Sequence, residues 1–169
     1  VGKELEKVNS KHFLIPICLL EENASDKNPI VNHIKNKNHY YIISKEMNGQ
    51  ELDQVIPKLT HDEFEILICK IIDSLEEGWE KIKFVHGDLH LRNIFVDESL
   101  NPIIFDFEHS SIYFRNPKKN FKNDLWIFLT NLALNVRNEK SEIVMKFVDK
   151  YFQERNTFQE SLYACIPKL

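Results

Sequence analysis

Two short β-rich runs, Ile94-Phe95-Val96-Asp97 and Pro102-Ile103-Ile104-Phe105, flank a polar stretch, Glu98-Ser99-Leu100-Asn101, and this arrangement constrains the fold more than any other feature of the chain. Runs rich in β-branched and aromatic residues, joined by a few polar ones, make an antiparallel hairpin. With a four-residue turn setting the register, Ile94 faces Phe105 and Asn93 faces Asp106, at a Cβ separation of roughly 4.5–5.5 Å. A carboxamide and a carboxylate at that spacing suit one Mg²⁺. That ion holds oxygens at about 2.0–2.1 Å and commonly takes one or two protein carboxylates plus phosphate oxygens. Asp88 sits on the loop just ahead of the hairpin.

A carboxylate in that position can accept a proton from a hydroxyl while a bound cation neutralises a transferring phosphate, so the cluster has the parts that phosphoryl transfer needs. The whole string His86-Gly87-Asp88-Leu89-His90-Leu91-Arg92-Asn93, followed by Asp106-Phe107-Glu108, resembles the catalytic and metal-binding loops of the protein-kinase-like superfamily. Gly87, His90 and Glu108 stand where ordinary protein kinases usually carry Arg, Lys and Gly. That variant is more similar to aminoglycoside and choline/ethanolamine kinase-like enzymes and to atypical protein kinases.

The resemblance implies ATP and Mg²⁺ as cofactors, Asp88 as catalytic base, His90 as a contact near the γ-phosphate, and Asn93 and Asp106 as metal ligands. It also implies that the backbone around Glu46 and Met47 is a hinge facing adenine, with Phe95 as the floor beneath it. Asp124, at the head of the apolar stretch 124–134, would hold the backbone of the catalytic loop. The acceptor would be a hydroxyl of a protein or a small molecule.

Other readings of the same residues exist. Asp88 and Asp106 suit a turn and a strand end, and His86 suits a satisfied core histidine, the role the resemblance also gives it. His86, Asp88 and His90 together resemble the opening of some metallohydrolase sites, which need further ligand clusters in later loops. After His90 the only histidine is His109. A pseudokinase or kinase-derived interaction module, without catalysis, is the non-enzyme alternative.

Along the rest of the chain, residues 3–10 read as the end of a helix and Phe13–Leu20 as a strand in which Pro16 marks an edge or a bulge. Residues 21–38 read as a surface loop and 40–44 as a second strand. Thr60-His61-Asp62-Glu63 is a capping box. It opens a helix with Phe64, Leu67, Ile68, Ile71, Leu75 and Trp79 on one face, ending near Gly78. Residues 109–123 form a polar segment in which Ser110, Ser111 and Tyr113 are ordinary loop hydroxyls. Asp124 opens a helix apolar on nearly every face, fit for a domain centre. Residues 142–154 form an amphipathic helix burying Ile143, Phe147, Val148, Tyr151 and Phe152.

The predicted fold is therefore α+β and protein-kinase-like. Residues 1–48 form the end of an N-terminal lobe, and residues 49–169 form a mostly helical C-terminal lobe that carries the catalytic hairpin. With four glycines in the chain, no glycine-rich phosphate-covering loop exists in it. Glu4 or Glu6 suits a partner for an ATP-orienting lysine, and that lysine and the glycine-rich loop are expected upstream of Val1.

The 169 residues are 43% hydrophobic and 28% charged, which suits one unit with a proper core. A net charge of −4 gives no electrostatic reason to expect nucleic acid. Three widely spaced cysteines make neither a disulfide framework nor a zinc pattern, so the expected setting is cytoplasmic. No apolar stretch is long enough to predict a membrane span.

Overall fold

The computed structural model describes residues 2–8, 11–22, 39–112, 121–137 and 139–152. A short helix α1 (Gly2–Leu5) continues as a 3₁₀ turn (Glu6–Val8). Strands β1 (Pro16–Glu22) and β2 (His39–Ser44) pair antiparallel, with an irregularity between Pro16 and Cys18 where the proline predicted one. The expected loop is shorter than its sequence span, since β1 runs on to Glu22; residues 23–38 lie outside the described ones.

The helical part is built on α3 (His61–Ile82). Its start is the predicted capping box: Thr60 Oγ1 accepts from the Glu63 N–H at 3.3 Å, and the Glu63 carboxylate accepts from the Thr60 N–H at 2.9 Å. Phe64, Leu67, Ile68, Ile71, Ile72, Leu75, Gly78 and Ile82 then follow one another down a buried stripe. The helix does not stop near Gly78. It runs to Ile82 and ends at Lys83, whose φ of 55° is a left-handed cap.

Gly78 serves packing rather than termination. A Cβ there would lie 3.2 Å from the Phe13 ring and 3.3 Å from that of Phe84. Trp79, expected on the buried face, is half-buried, with the Lys83 ammonium 5.1 Å above its ring.

Helices α4 (Phe121–Asn135) and α5 (Glu139–Tyr151) pack against α3 and each other. α4 begins one turn before Asp124, so that residue lies within its first turn rather than opening it. Nor is α4 covered all round. Leu125, Phe128, Leu129, Leu132 and Ala133 are buried while Leu134 is 63% exposed. In α5, Ile143, Phe147 and Val148 are buried, and Tyr151 and Phe152 are half-buried; residues 153 and 154 lie outside the described ones. Fully burying a side chain such as Phe64 or Phe128 contributes about 1.5–3 kcal/mol.

Three strands form the platform for the site, in the order β3 (Gln50–Glu51), β5 (Ile94–Val96) and β6 (Pro102–Ile104). Between β3 and α3 lies α2 (Leu52–Val55), extended by a 3₁₀ turn to Lys58. Along the outer side of β6 runs the segment expected to be a strand at Phe13. It makes a parallel bridge there, with Leu14 donating to Ile104 O at 2.8 Å and Ile104 donating to His12 O at 2.7 Å. Two-residue strands β4 (Phe84–Val85) and β7 (Ser111–Ile112) pair with each other.

The hairpin exists, but its register is one residue tighter than a four-residue turn predicts. Ile94 pairs with Ile104, Phe95 with Ile103 and Val96 with Pro102, which sets Asn93 opposite Phe105 rather than Asp106. The cause is Asp97. Its N–H donates to Asn101 O at 3.1 Å, closing a three-residue loop of Glu98, Ser99 and Leu100. Its carboxylate accepts from the main-chain N–H groups of Ser99 (2.9 Å) and Asn101 (2.8 Å) and from Asn101 Nδ2 (3.1 Å).

Leu100 takes the left-handed position that such loops require, at φ 55°. Burial pushes the Asp97 carboxyl up, and the hydrogen bonds from Asn101 and Ser99 outweigh it, so the group stays below its usual value. Asp97→Ala is expected to lower stability by about 1–2 kcal/mol, read from the urea midpoint. An unchanged midpoint would show that the loop does not depend on this carboxylate.

Candidate active site

Strand β4 delivers the chain into residues 86–93, whose backbone is held by a set of definite hydrogen bonds. Asp124, fully buried, accepts the His86 N–H on Oδ2 at 2.7 Å and the Gly87 N–H on Oδ1 at 2.8 Å. This is the role the resemblance implied for Asp124. Gly87 has φ 87°, and a Cβ on it would lie 2.4 Å from the carbonyl oxygen of His109. Glycine is thus needed twice over, for conformation and for the close passage of the next segment.

His86 is a core histidine with both ring nitrogens committed. Nδ1 accepts the Asp88 N–H at 3.3 Å, which leaves Nε2 protonated and donating to Phe105 O at 2.8 Å. Burial holds its pKa below the ordinary 6.5, against opposing contributions from the Phe105 carbonyl, Asp88 and Asp106. A metallohydrolase-type role for His86, Asp88 and His90 fails here, because the ring has no lone pair left for a metal. Among the described residues no cluster of three or more His, Cys, Asp or Glu side chains suits a metal ion either.

After His86 the loop turns tightly. The His90 N–H donates to Asp88 O and the Asn93 N–H to His90 O, both at 3.0 Å, with a 3₁₀ turn over Leu91–Asn93. The buried Asn93 side chain donates from Nδ2 to Asp88 O at 2.9 Å. A main-chain carbonyl only accepts, so the amide orientation is fixed and Oδ1 is its free end. Asp88 keeps its side chain 46% exposed, with His90 Nε2 3.7 Å from its Oδ2.

Asp106 follows Phe105, whose N–H donates to Asn93 O at 3.1 Å and whose carbonyl is held by His86. At Asp106 the backbone turns to φ 62°, and the exposed carboxylate has no hydrogen bond or ion pair among the described residues. Phe107 anchors the turn in a ring cluster, 5.8 Å from Phe84 and 5.7 Å from His86. The tighter hairpin register therefore moves Asp106 one residue beyond the pairing with Asn93. It follows directly on Phe105, the residue paired with Asn93, and the left-handed turn sets the direction of its carboxylate. Asn93 Oδ1 and the Asp106 carboxylate are hard oxygen donors, the set that Mg²⁺ takes, so these residues fit that ion.

Glu46 and Met47, expected to form a hinge, stand apart from this cluster. Glu46 and Met47 line a cavity of about 640 Å³ with Phe13, Ile15, Asp97 and Ile103, and none of Asp88, Asn93, Phe95 or Asp106 lines it. Phe95 is half-buried opposite Ile103, its ring 4.9 Å from that of Phe105. Ile103 thus connects the two places, and the hinge and the proposed floor share no single cavity.

Sequence reasoning missed Ser110. Rather than an ordinary loop hydroxyl, its Oγ donates to His86 O at 2.9 Å and fastens the outgoing segment to the loop of residues 86–93. Ser111 belongs to β7, and residues 113–120, with Tyr113, lie outside the described ones. A second cavity, of about 350 Å³ beside His90, was also unforeseen, since its walls come from three distant parts of the chain: Asp53, His90 to Arg92, and Asn131 with Asn135.

Residues 44–115, which contain this loop and hairpin, match the model of the phosphotransferase enzyme family described as APH. No curated protein matches the chain. Among solved structures, the kinase PK-1 of the Cydia pomonella granulovirus superposes with a TM-score of 0.59 at 14% identity, over 95% of this chain and 63% of that one. At that identity the likeness speaks for the fold. The chain has the protein-kinase-like fold. It spans 63% of the length of the viral kinase it matches, and its α+β architecture is that of the kinase fold. No described helix is long and apolar enough to cross a membrane.

The neutral, buried His86 generates a pH dependence. Its folded pKa is depressed, so the unfolded chain binds more protons as pH falls through 6.5, and stability that is full above that value is lost below it. Urea midpoints are expected to fall from about pH 7 to about pH 5.5 in the wild type and to fall less steeply in His86→Gln. Equal slopes would remove His86 as the cause.

Proposed function

We propose that this chain is an ATP- and Mg²⁺-dependent phosphotransferase of the kinase type, moving the γ-phosphoryl group to a hydroxyl of a protein or small molecule. One observation carries the reading. Around residues 86–93 and 105–107 the backbone and the orienting side chains are tied, while the Asp88 carboxylate, the Asp106 carboxylate and Asn93 Oδ1 are left free of hydrogen bonds. A tied scaffold presenting three side chains with unclaimed oxygens suits a bound cation and a proton in transit.

In this reading Asn93 Oδ1 and Asp106 hold Mg²⁺, which when bound neutralises charge on the ATP phosphates. Asp88 accepts the proton from the acceptor hydroxyl. His90 contacts the γ-phosphate from its place beside Asp88. Phe95 lies under adenine, and the backbone at Glu46 and Met47 meets its edge. Residues 1–48 then belong to an upper lobe and 49–169 to a lower one, working in the cytoplasm without nucleic acid.

Asp88→Asn should lower ATP turnover, read as ADP release, by about 10²–10⁴-fold while Mg·ATP binding persists. Equal turnover in the two proteins would remove the base assignment. Asp106→Ala, or EDTA added to the wild type, should abolish the stabilisation that saturating ATP gives, about 2.7 kcal/mol at 100 times Kd. Stabilisation that survives both would remove the metal assignment.

A further inference from the structure

Strands β4 and β7 pair in a register that sets Phe84 opposite Ile112 and Val85 opposite Ser111. Carried further, the same register sets His86 opposite Ser110 and Gly87 opposite His109. Both facing positions are kept: the Ser110 side chain reaches His86 O, and the chain at His109 passes so near Gly87 that a Cβ there would lie 2.4 Å from His109 O. What changes is the donor. Ser110 has turned its N–H back to Phe107 O at 3.1 Å, and its hydroxyl makes the rung instead, donating to His86 O at 2.9 Å.

This exchange lets the segment leave the ladder without leaving His86. One residue then grips the stretch 105–110 at both ends, with ring Nε2 on Phe105 O and with its own carbonyl under Ser110 Oγ. Asp106 lies between the two grips. Its carboxylate has no hydrogen bond or ion pair among the described residues, so its aim comes from the backbone, at φ 62°. A non-glycine residue in that conformation is held there by what surrounds it. Ahead of Asp106 stand the two bonds of Phe105; behind it stand the Phe107 ring packing and the two bonds of Ser110. The N–H bond of Ser110 closes a local turn that moves with the segment. The hydroxyl bond runs to the loop that carries Asp88 and Asn93.

We propose that Ser110 is a positioning residue for the cation at Asp106: its hydroxyl, standing in for a main-chain donor, holds the aim of the Asp106 carboxylate and thereby tightens Mg²⁺ binding. The role rests on the phosphotransferase reading, since the cation is the one that reading assigns to Asp106. Alanine at 110 removes the donor from the carbonyl of the fully buried His86, and a methyl group cannot replace it.

The test follows the stabilisation that a fixed, saturating ATP concentration gives to the whole chain, read by thermal shift, as Mg²⁺ is raised from EDTA-buffered levels. Ser110→Ala is expected to raise the half-saturating Mg²⁺ concentration about three- to tenfold, the span of one neutral hydrogen bond converted to affinity. Ser110→Cys, of similar size but a much weaker donor, is expected to raise it as well, and serves should the alanine variant not fold. Ile143→Val supplies the comparison. It trims a buried residue of α5, a helix that carries none of the site residues, and should lower the melting temperature while leaving the Mg²⁺ dependence at the wild-type value. No rise in the Ser110 variants, or a rise matched by Ile143→Val, would overturn the positioning role and leave the phosphotransferase reading standing. Stabilisation of the wild type by ATP that ignores Mg²⁺ would instead sink the metal assignment in that reading, and the role of Ser110 with it.

Discussion

The buried carboxylate of Asp124 is the constraint on which the site depends. It lies in the first turn of α4, under the loop that leaves β4, and its two oxygens take two consecutive main-chain N–H groups. Charge-assisted bonds of this kind are short and strong, and without the carboxylate the N–H of the buried His86 would be left unpaired, at about 1–3 kcal/mol. Every later contact follows from the path it imposes. His86 is directed at Phe105, Asp88 is presented at the surface, and Asn93 reaches back to brace the turn.

His86 transmits that order across the hairpin. Because its ring is neutral, it both accepts and donates, joining the Asp88 amide to the carbonyl that precedes Asp106. An imidazolium would lose the acceptor. The backbone at Asp88 and the backbone just ahead of Asp106 are thus connected through a single planar group packed edge-on against Phe84 and Phe107. Their separation is set by a rigid ring rather than by the flexible carboxylates themselves.

Much of this was legible in the residues. The capping box at Thr60, the hairpin and the apolar stripe of α3 follow from local patterns that tertiary packing did not override, while the role of Asp124 was implied by the resemblance alone. What failed failed for identifiable physical reasons. The register slipped by one because Asp97, counted as strand, closes the loop with its own carboxylate. α3 outran Gly78 because that glycine makes room for Phe13 and Phe84 rather than ending a helix. Ser110 and the cavity at Asp53 gave no signal, since their partners lie 24 or more residues away in sequence. Spacing alone cannot bring such residues together.

The anchoring of Ser110 and the β4–β7 pairing have a further consequence for how such a chain can diversify. The segment carrying Asp106 leads into a foot that is fastened before residue 113. Lengthening, shortening or recharging the sequence beyond Ile112 therefore starts from a fixed base, and Asp88, Asn93 and Asp106 need not shift to accommodate it.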